Sequence, residues 1–213
     1  RLIGALVMVH GDQRGLVLPP RVAPIQAVIL PIAAHKGGVM EVCQQAAEQL
    51  RAAGIRVKLD DRDSVSPGYK FNEWELKGVP LRLEIGPKDI EKGAALAMRR
   101  DTLEKLPLPL SDIGSQALSL LDEIHLGMLR KAQAYLDAHT YDCTTLEEMG
   151  ERLENGKGYV RAMWCGDRAC EDAIKEKFSA TARNMPFDQT PVGDTCVCCG
   201  RPAKHLVFWA RAY

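Results

Sequence analysis

Ile25-Gln26-Ala27-Val28-Ile29-Leu30-Pro31-Ile32 is the stretch on which the fold turns. It is almost wholly apolar and rich in β-branched residues, and it is too short for a core helix. It therefore reads as a buried strand. His35-Lys36-Gly37-Gly38 follows as a loop. Val39, Val42, Cys43, Ala46, Leu50 and Ala53 then recur at helical spacing, and Gly54 supplies a stop. Ile55, Val57 and Leu59 alternate with Arg56 and Lys58, which is strand spacing. A strand, a helix and a second strand in such close succession predict a right-handed crossover between parallel strands.

Reading outward toward the C-terminus, Asp60-Asp61-Arg62-Asp63 is a charged exit from the second strand. Ser66-Pro67-Gly68 opens a helix with proline in its first turn, and Gly78 ends it after Lys77. Leu81, Leu83 and Ile85 alternate with Arg82 and Glu84, predicting a third strand with Arg82 and Glu84 on a polar face. Gly86-Pro87 breaks that strand. Residues 94–99, Ala-Ala-Leu-Ala-Met-Arg, could be strand or helix, and propensity favours helix. Leu106-Pro107-Leu108-Pro109 reads as a linker. Beyond it, Ile113, Ala117, Leu120, Leu121, Ile124, Met128, Ala132, Tyr135 and Leu136 mark one long amphipathic helix. Thr145-Leu146-Glu147-Glu148 is a capping-box pattern that opens another. Toward the N-terminus, residues 1–23 are apolar as far as Val9, turn at His10-Gly11-Asp12 and end at Pro19-Pro20. There is no internal repeat.

The 213 residues carry 28 basic and 28 acidic side chains, so net charge is zero with neutral histidine. That argues against a broad basic nucleic-acid surface and against an acidic tail, while leaving room for a local RNA site. Residues 51–105 hold 12 basic and 10 acidic side chains, so recognition there would rest on a few placed groups. The longest apolar runs, such as residues 27–34, are too short to span a bilayer, and no signal peptide opens the chain. The chain begins mid-pattern at Arg1-Leu2-Ile3-Gly4 without Met, as a piece of something longer would.

Seven cysteines without a secretory signal argue against a disulfide framework. Cys165-x4-Cys170 and Cys196-x2-Cys199 form two short pairs, each suited to a loop. Such pairs deliver four thiolates at little backbone cost, and Gly200 permits the tight turn beside the second. The expectation is a closed structural Zn2+ site on Cys165, Cys170, Cys196 and Cys199. The alternative is four reduced, unliganded thiols. Cys198 falls out of register with the second pair, and either Cys198 or His205 could replace a ligand. Cys43 reads as core, and Cys143 has no partner at ligand spacing.

The segment from Asp60-Asp61-Arg62-Asp63 through Pro67-Gly68-Tyr69-Lys70-Phe71 and Trp74-Glu75-Leu76-Lys77-Gly78 to Val79-Pro80-Leu81-Arg82-Leu83-Glu84-Ile85-Gly86-Pro87-Lys88-Asp89 resembles the anticodon-binding domain of class IIa aminoacyl-tRNA synthetases. With the cysteine quartet and Tyr213 added, the whole chain resembles the C-terminal portion of the prolyl-tRNA synthetase family. The form it resembles has a zinc-containing C-terminal domain and is common in archaea, eukaryotes and some bacteria. The fold implied is an α/β anticodon-binding domain, a mixed sheet with flanking helices, followed by an α+β zinc-binding domain. The divisions implied are 1–23, the end of a class II catalytic domain; 24–108, the anticodon-binding domain; and 109–213, the zinc-binding domain.

The resemblance also implies roles. Glu75, Arg82, Lys88 and Asp89 match positions that read the guanines of the proline anticodon. Carboxylates can accept from guanine N1 and N2, and cations can donate to O6 and N7. Unstacked loop bases expose those edges. The competing reading of each residue is a surface ion-pair partner, and Phe71 and Trp74 could be stacking faces or core. Arg1 matches the motif 3 arginine that contacts ATP phosphates, although motifs 1 and 2 are absent, so this chain alone should be inactive. Tyr213 matches a terminal tyrosine whose carboxylate reaches toward the catalytic domain. The implied parent is a cytoplasmic, homodimeric ligase that uses ATP and Mg2+ to charge proline onto tRNA(Pro). A different class of answer is a stand-alone RNA-binding accessory protein that uses a synthetase-type anticodon domain. Synthetases for threonine, histidine or glycine fit less well, given the quartet and Tyr213.

Overall fold

The computed structural model of the chain describes residues 1–156 and 158–211. These fall into two compact units, Arg1–Lys131 and Ala132 onward. The first unit runs α1 (Leu2–His10), β1 (Ala27–Pro31), α2 (Val39–Ala52), β2 (Val57–Leu59), α3 (Pro67–Leu76), β3 (Leu81–Ile85), α4 (Pro87–Glu91), β4 (Ala94–Arg99) and β5 (Lys105–Pro109). A short 3-10 turn then leads into α5 (Ile113–Ala138), within which the two units divide.

The five strands form one sheet in the order β2-β1-β3-β4-β5. β1 is parallel to both β2 and β3, and β4 and β5 are antiparallel additions. The expected strand–helix–strand unit is therefore present. Cys43, Ala46 and Leu50 of α2 and Ile113, Ala117, Leu121 and Ile124 of α5 bury one face of the sheet, against Ala27, Ile29, Leu81, Leu83 and Ile85. On the opposite face Trp74 and Val79, with Phe71, cover Val28 and Leu30.

Three expectations need correction. Residues 94–99 form a strand, because pairing on both sides with β3 and β5 outweighs the helix propensity of alanine and leucine. Leu106–Pro109 is no linker but part of β5. The backbone N–H of Leu110 donates to Gly93 O, so the even-numbered residues of β5 face β4. Pro107 and Pro109 then lie where a missing N–H breaks no ladder bond, at the sheet edge. Finally, the supposed polar face of β3 is not solvated. Arg82 and Glu84 pair in register with Val28 and Leu30 under α3, and Arg82 is buried.

The second unit contains β6 (Thr140–Asp142), α6 (Leu146–Asn155), β7 (Tyr159–Trp164), α7 (Arg168–Phe178), β8 (Ala180–Asn184) and β9 (His205–Arg211). Its sheet order is β6-β7-β9-β8, with β6 parallel to β7 and the remaining pairs antiparallel. The capping box forms as expected. Glu148 N–H donates to Thr145 Oγ1 at 3.2 Å, and Thr145 N–H donates to Glu148 Oε2 at 3.3 Å. Met149, Leu153, Ile174 and Phe178 from the two helices pack on Val160, Ala162, Val207 and Trp209 of the sheet. Among the described residues no helix is long and apolar enough to cross a membrane.

Candidate metal centre and nucleic-acid interface

Local geometry brings the two cysteine pairs together. Cys165 immediately follows β7, and Gly166 turns the chain at φ 88°. Asp167 then caps α7 by accepting from Ala169 N–H at 3.0 Å, which puts Cys170 in the first helical turn. The second pair lies on a tight turn closed by Gly200 N–H to Cys196 O at 2.9 Å and Cys196 N–H to Arg201 O at 2.8 Å. Val197 N–H donates to Met163 O, anchoring that turn to β7. Cys165, Cys170, Cys196 and Cys199 consequently present their sulfurs within 4.8 Å of one another.

The sulfurs of Cys165 and Cys170 lie 3.7 Å apart, and those of Cys199 and Cys165 lie 3.8 Å apart. A tetrahedron with metal–sulfur bonds of about 2.3 Å has edges of roughly 3.8 Å, and these two separations match it, with all four sulfurs inside 4.8 Å. Three of the cysteines are buried and Cys199 is exposed. Burial pushes the Cys170 and Cys196 thiols up, whereas the Arg201 guanidinium and backbone N–H pull Cys199 down to about 6. Cys198 and His205 lie outside the quartet. Cys198 packs half-buried beside it, and the His205 ring lies 6.0 Å from Trp164. Cys43 and Cys143 are each buried in the core of their own unit.

In the first unit, Glu75 on the last turn of α3 and Arg82 on β3 come together, with Arg82 Nη1 4.0 Å from Glu75 Oε2. Arg82 is heavily constrained. Its guanidinium stacks on Phe71 at 4.4 Å, donates from Nε and Nη2 to Glu84 Oε1 at 3.1 and 2.9 Å, and contacts Met98 Sδ. Glu75 also accepts from Arg14 Nη1 at 3.2 Å. A shallow pocket opens here, lined by Glu75, Arg82, Met98 and Arg100 among others. Lys88 is exposed on α4. Asp89, in the first turn of α4, spends one oxygen on the Gly86 N–H at 2.9 Å. Trp74 is core and Phe71 is the platform for Arg82. Arg1 is the exposed N-cap of α1 and makes no side-chain capping bond. Tyr213 lies outside the described residues.

Sequence patterns alone missed several partners. Arg201 and Asp167 bind each other at 2.7 Å beside the quartet. Asp60 is a buried hub rather than a solvated exit. Arg100, 3% exposed in its side chain, grips Asp12 at 2.6 and 2.7 Å across 88 positions. The one available signal was Asp167, an N-cap residue type standing three positions ahead of Cys170.

Comparison with known proteins shows what the chain resembles. Residues 146–213 match the family described as "Prolyl-tRNA synthetase, C-terminal", and residues 26–119 match that described as "Anticodon binding domain". The whole chain is 55% identical to the proline–tRNA ligase of Clostridium botulinum (strain Loch Maree / Type A3). The chain is similar to a C-terminal portion of proline–tRNA ligases. It is 54% identical to the proline–tRNA ligase of Lachnoclostridium phytofermentans and 50% identical to that of Clostridium novyi (strain NT), again over all 213 residues. It spans 44% of the length of each of these relatives and corresponds to a C-terminal portion. The first sheet thus lies in the region that matches the anticodon-binding domain, and the cysteine quartet lies in the region that matches the C-terminal domain.

Proposed function

We propose that this chain serves a proline–tRNA ligase by reading the tRNA(Pro) anticodon and by stabilising its C-terminal domain with zinc. The observation that carries the first part is the pairing of Glu75 with Arg82. A carboxylate and a guanidinium side by side present an acceptor and a donor fork, which together match guanine: Glu75 to N1 and N2, Arg82 to O6 and N7. Phe71 and Glu84 hold Arg82 in one orientation, so little rotamer freedom is lost on binding. Lys88 and Asp89 complete the reading group, Asp89 with the oxygen not used to cap α4.

Zinc suits the quartet, because four thiolates at tetrahedral spacing leave no open position. Its role would be structural, joining the end of β7, the start of α7 and the turn before β9. The domain divisions follow the same reading: 1–23 as the end of the catalytic domain, 24–108 for the anticodon and 109–213 for the metal. In the intact enzyme, activation of proline by ATP and Mg2+ and transfer to tRNA would use residues upstream. Arg1 would contact ATP phosphates there, and the Tyr213 carboxylate would approach the active site. The intact enzyme would be a cytoplasmic homodimer.

The test is binding to proline tRNA carrying either its own anticodon or one with the guanines replaced. The expected result is loss of affinity on replacement. Equal binding to every anticodon would remove the assignment.

A further inference from the structure

Arg201 Nε donates to Cys199 Sγ at 3.3 Å, and its Nη2 stands 3.9 Å from Cys165 Sγ. The same Nη2 donates to Asp167 Oδ2 at 2.7 Å. Asp167 lies between Cys165 and Cys170, and Arg201 lies two positions past Cys199. This ion pair therefore bridges the two cysteine pairs from outside the metal position. Its members are placed by backbone features that also build the site. Asp167 is the N-cap of α7, and the Arg201 carbonyl accepts from Cys196 N–H.

The chemistry gives the bridge a purpose. Four thiolates outweigh a divalent cation by two negative charges, and that excess must be offset near the sulfurs. Cys170 has help from the N-terminus of α7, where unpaired N–H groups concentrate partial positive charge. Cys199 does not share that position. It is also the exposed ligand, the one that water, protons or a competing chelator reach first. Arg201 donates directly to that sulfur. A guanidinium fork can reach two sulfurs and a carboxylate at once, which a single ammonium cannot do with the same geometry.

We propose that Arg201, oriented by Asp167, is a positioning residue that retains the metal by offsetting the thiolate charge and holding Cys199 in place. The proposal rests on the reading of the quartet as a zinc site. It goes beyond that reading by assigning the kinetic stability of the site to an ion pair outside the ligand set.

The experiment measures zinc release from the zinc-loaded protein into excess chromogenic chelator, for wild type, Arg201→Ala, Arg201→Lys and Asp167→Asn. Alkylation of Cys199 by iodoacetamide is followed in parallel. Loss of a partner beyond the ligands typically weakens metal affinity by about 10- to 100-fold. Arg201→Ala is expected to speed release on that scale and to speed alkylation of the freed Cys199. Arg201→Lys is expected to recover part of the effect, because it keeps the charge but not the fork. Thermal melting of the zinc-loaded forms separates release from general unfolding. If Arg201→Ala melts early, Asp167→Asn decides: faster release supports the role, and release at the wild-type rate overturns it. Wild-type release from Arg201→Ala also overturns it, while leaving zinc binding intact. A wild-type protein that takes up no zinc overturns the zinc reading itself, so the two failures are distinguishable.

Discussion

The indole N–H of Trp74 donates to the carboxylate of Asp60 at 2.8 Å, in a site where Asp60 is 1% exposed. That carboxylate also accepts two bonds from Arg62, at 2.8 and 2.7 Å, and lies 3.8 Å from the Lys70 ammonium. Lys70 is itself buried and donates to the Asp60 carbonyl at 3.0 Å. These contacts pin α3 to the end of β2, and so set the platform from which Phe71 and Glu75 project. Asp60→Ala should cost about 3–5 kcal/mol, because it leaves the Lys70 charge buried without its partner. Urea unfolding measures this. The Arg62 guanidinium first, then the Trp74 N–H and Lys70, hold the Asp60 carboxyl well below the usual carboxylate range. A depressed value in the folded state means that its contribution is present above the unfolded value of about 3.9 and is lost as pH falls below it. Wild-type stability should therefore decline on acidification below about pH 4, and Asp60→Asn should flatten that part of the curve.

The metal prediction is stoichiometric. The protein should hold one zinc per chain by elemental analysis, and Cys165→Ser or Cys199→Ser should abolish it. Cys198→Ser should leave it unchanged, since Cys198 lies outside the group. A metal-free protein that melts at the same temperature with and without added zinc would remove the structural role.

Arg82, Glu75 and Lys88 should each lose anticodon discrimination in tRNA binding. Arg82→Ala removes a fixed fork, and on the scale of one bidentate base contact it should cost about 1–3 kcal/mol, with relaxed discrimination at a guanine. Glu75→Ala should behave the same way, as its pairing partner. Lys88 is exposed. Lys88→Ala should weaken the cognate anticodon more than the altered ones; uniform weakening with a salt dependence lower by about one unit would move Lys88 from a base edge to phosphate. Titrations against cognate and altered anticodons at two salt concentrations separate these outcomes.

What was legible in the sequence was what local spacing encodes. The apolar run at Ile25–Ile32, the helical stripe from Val39 to Ala53 and the capping box at Thr145 each show their period within a few residues, and each forms as read. The cysteine quartet was legible because two short pairs need only meet once. Illegible features depend on partners far along the chain. Ala94–Arg99 is a strand only because β3 and β5 flank it, and Arg82 is buried only because α3 crosses its face. Arg100 finds Asp12 across a separation that no window of residues spans. Glu75 and Arg82 came from family resemblance, because an alternating Arg and Glu on a strand looks the same whether it faces RNA or an ion pair.

Two glycines on α5 separate packing from propensity. A Cβ at Gly114 would stand 2.8 Å from the Gln49 carbonyl oxygen and 3.4 Å from Ala53 Cβ, both on or just past α2. The oxygen belongs to helix backbone and cannot swing aside as a flexible side chain would, so α2 and α5 must part. A Cβ at Gly127 would meet nothing closer than Asp101 Oδ2 at 4.0 Å, an ordinary contact. Replacing an interior helical glycine by alanine gains about 1 kcal/mol from backbone entropy alone. Overpacking a close contact costs about 1–3 kcal/mol. Gly127→Ala should therefore raise the melting temperature, and Gly114→Ala should lower it, although the two changes are chemically identical and lie on one helix. If both substitutions stabilise, the close approach of α2 and α5 is not rigid, and the core of the anticodon-binding domain has room to yield.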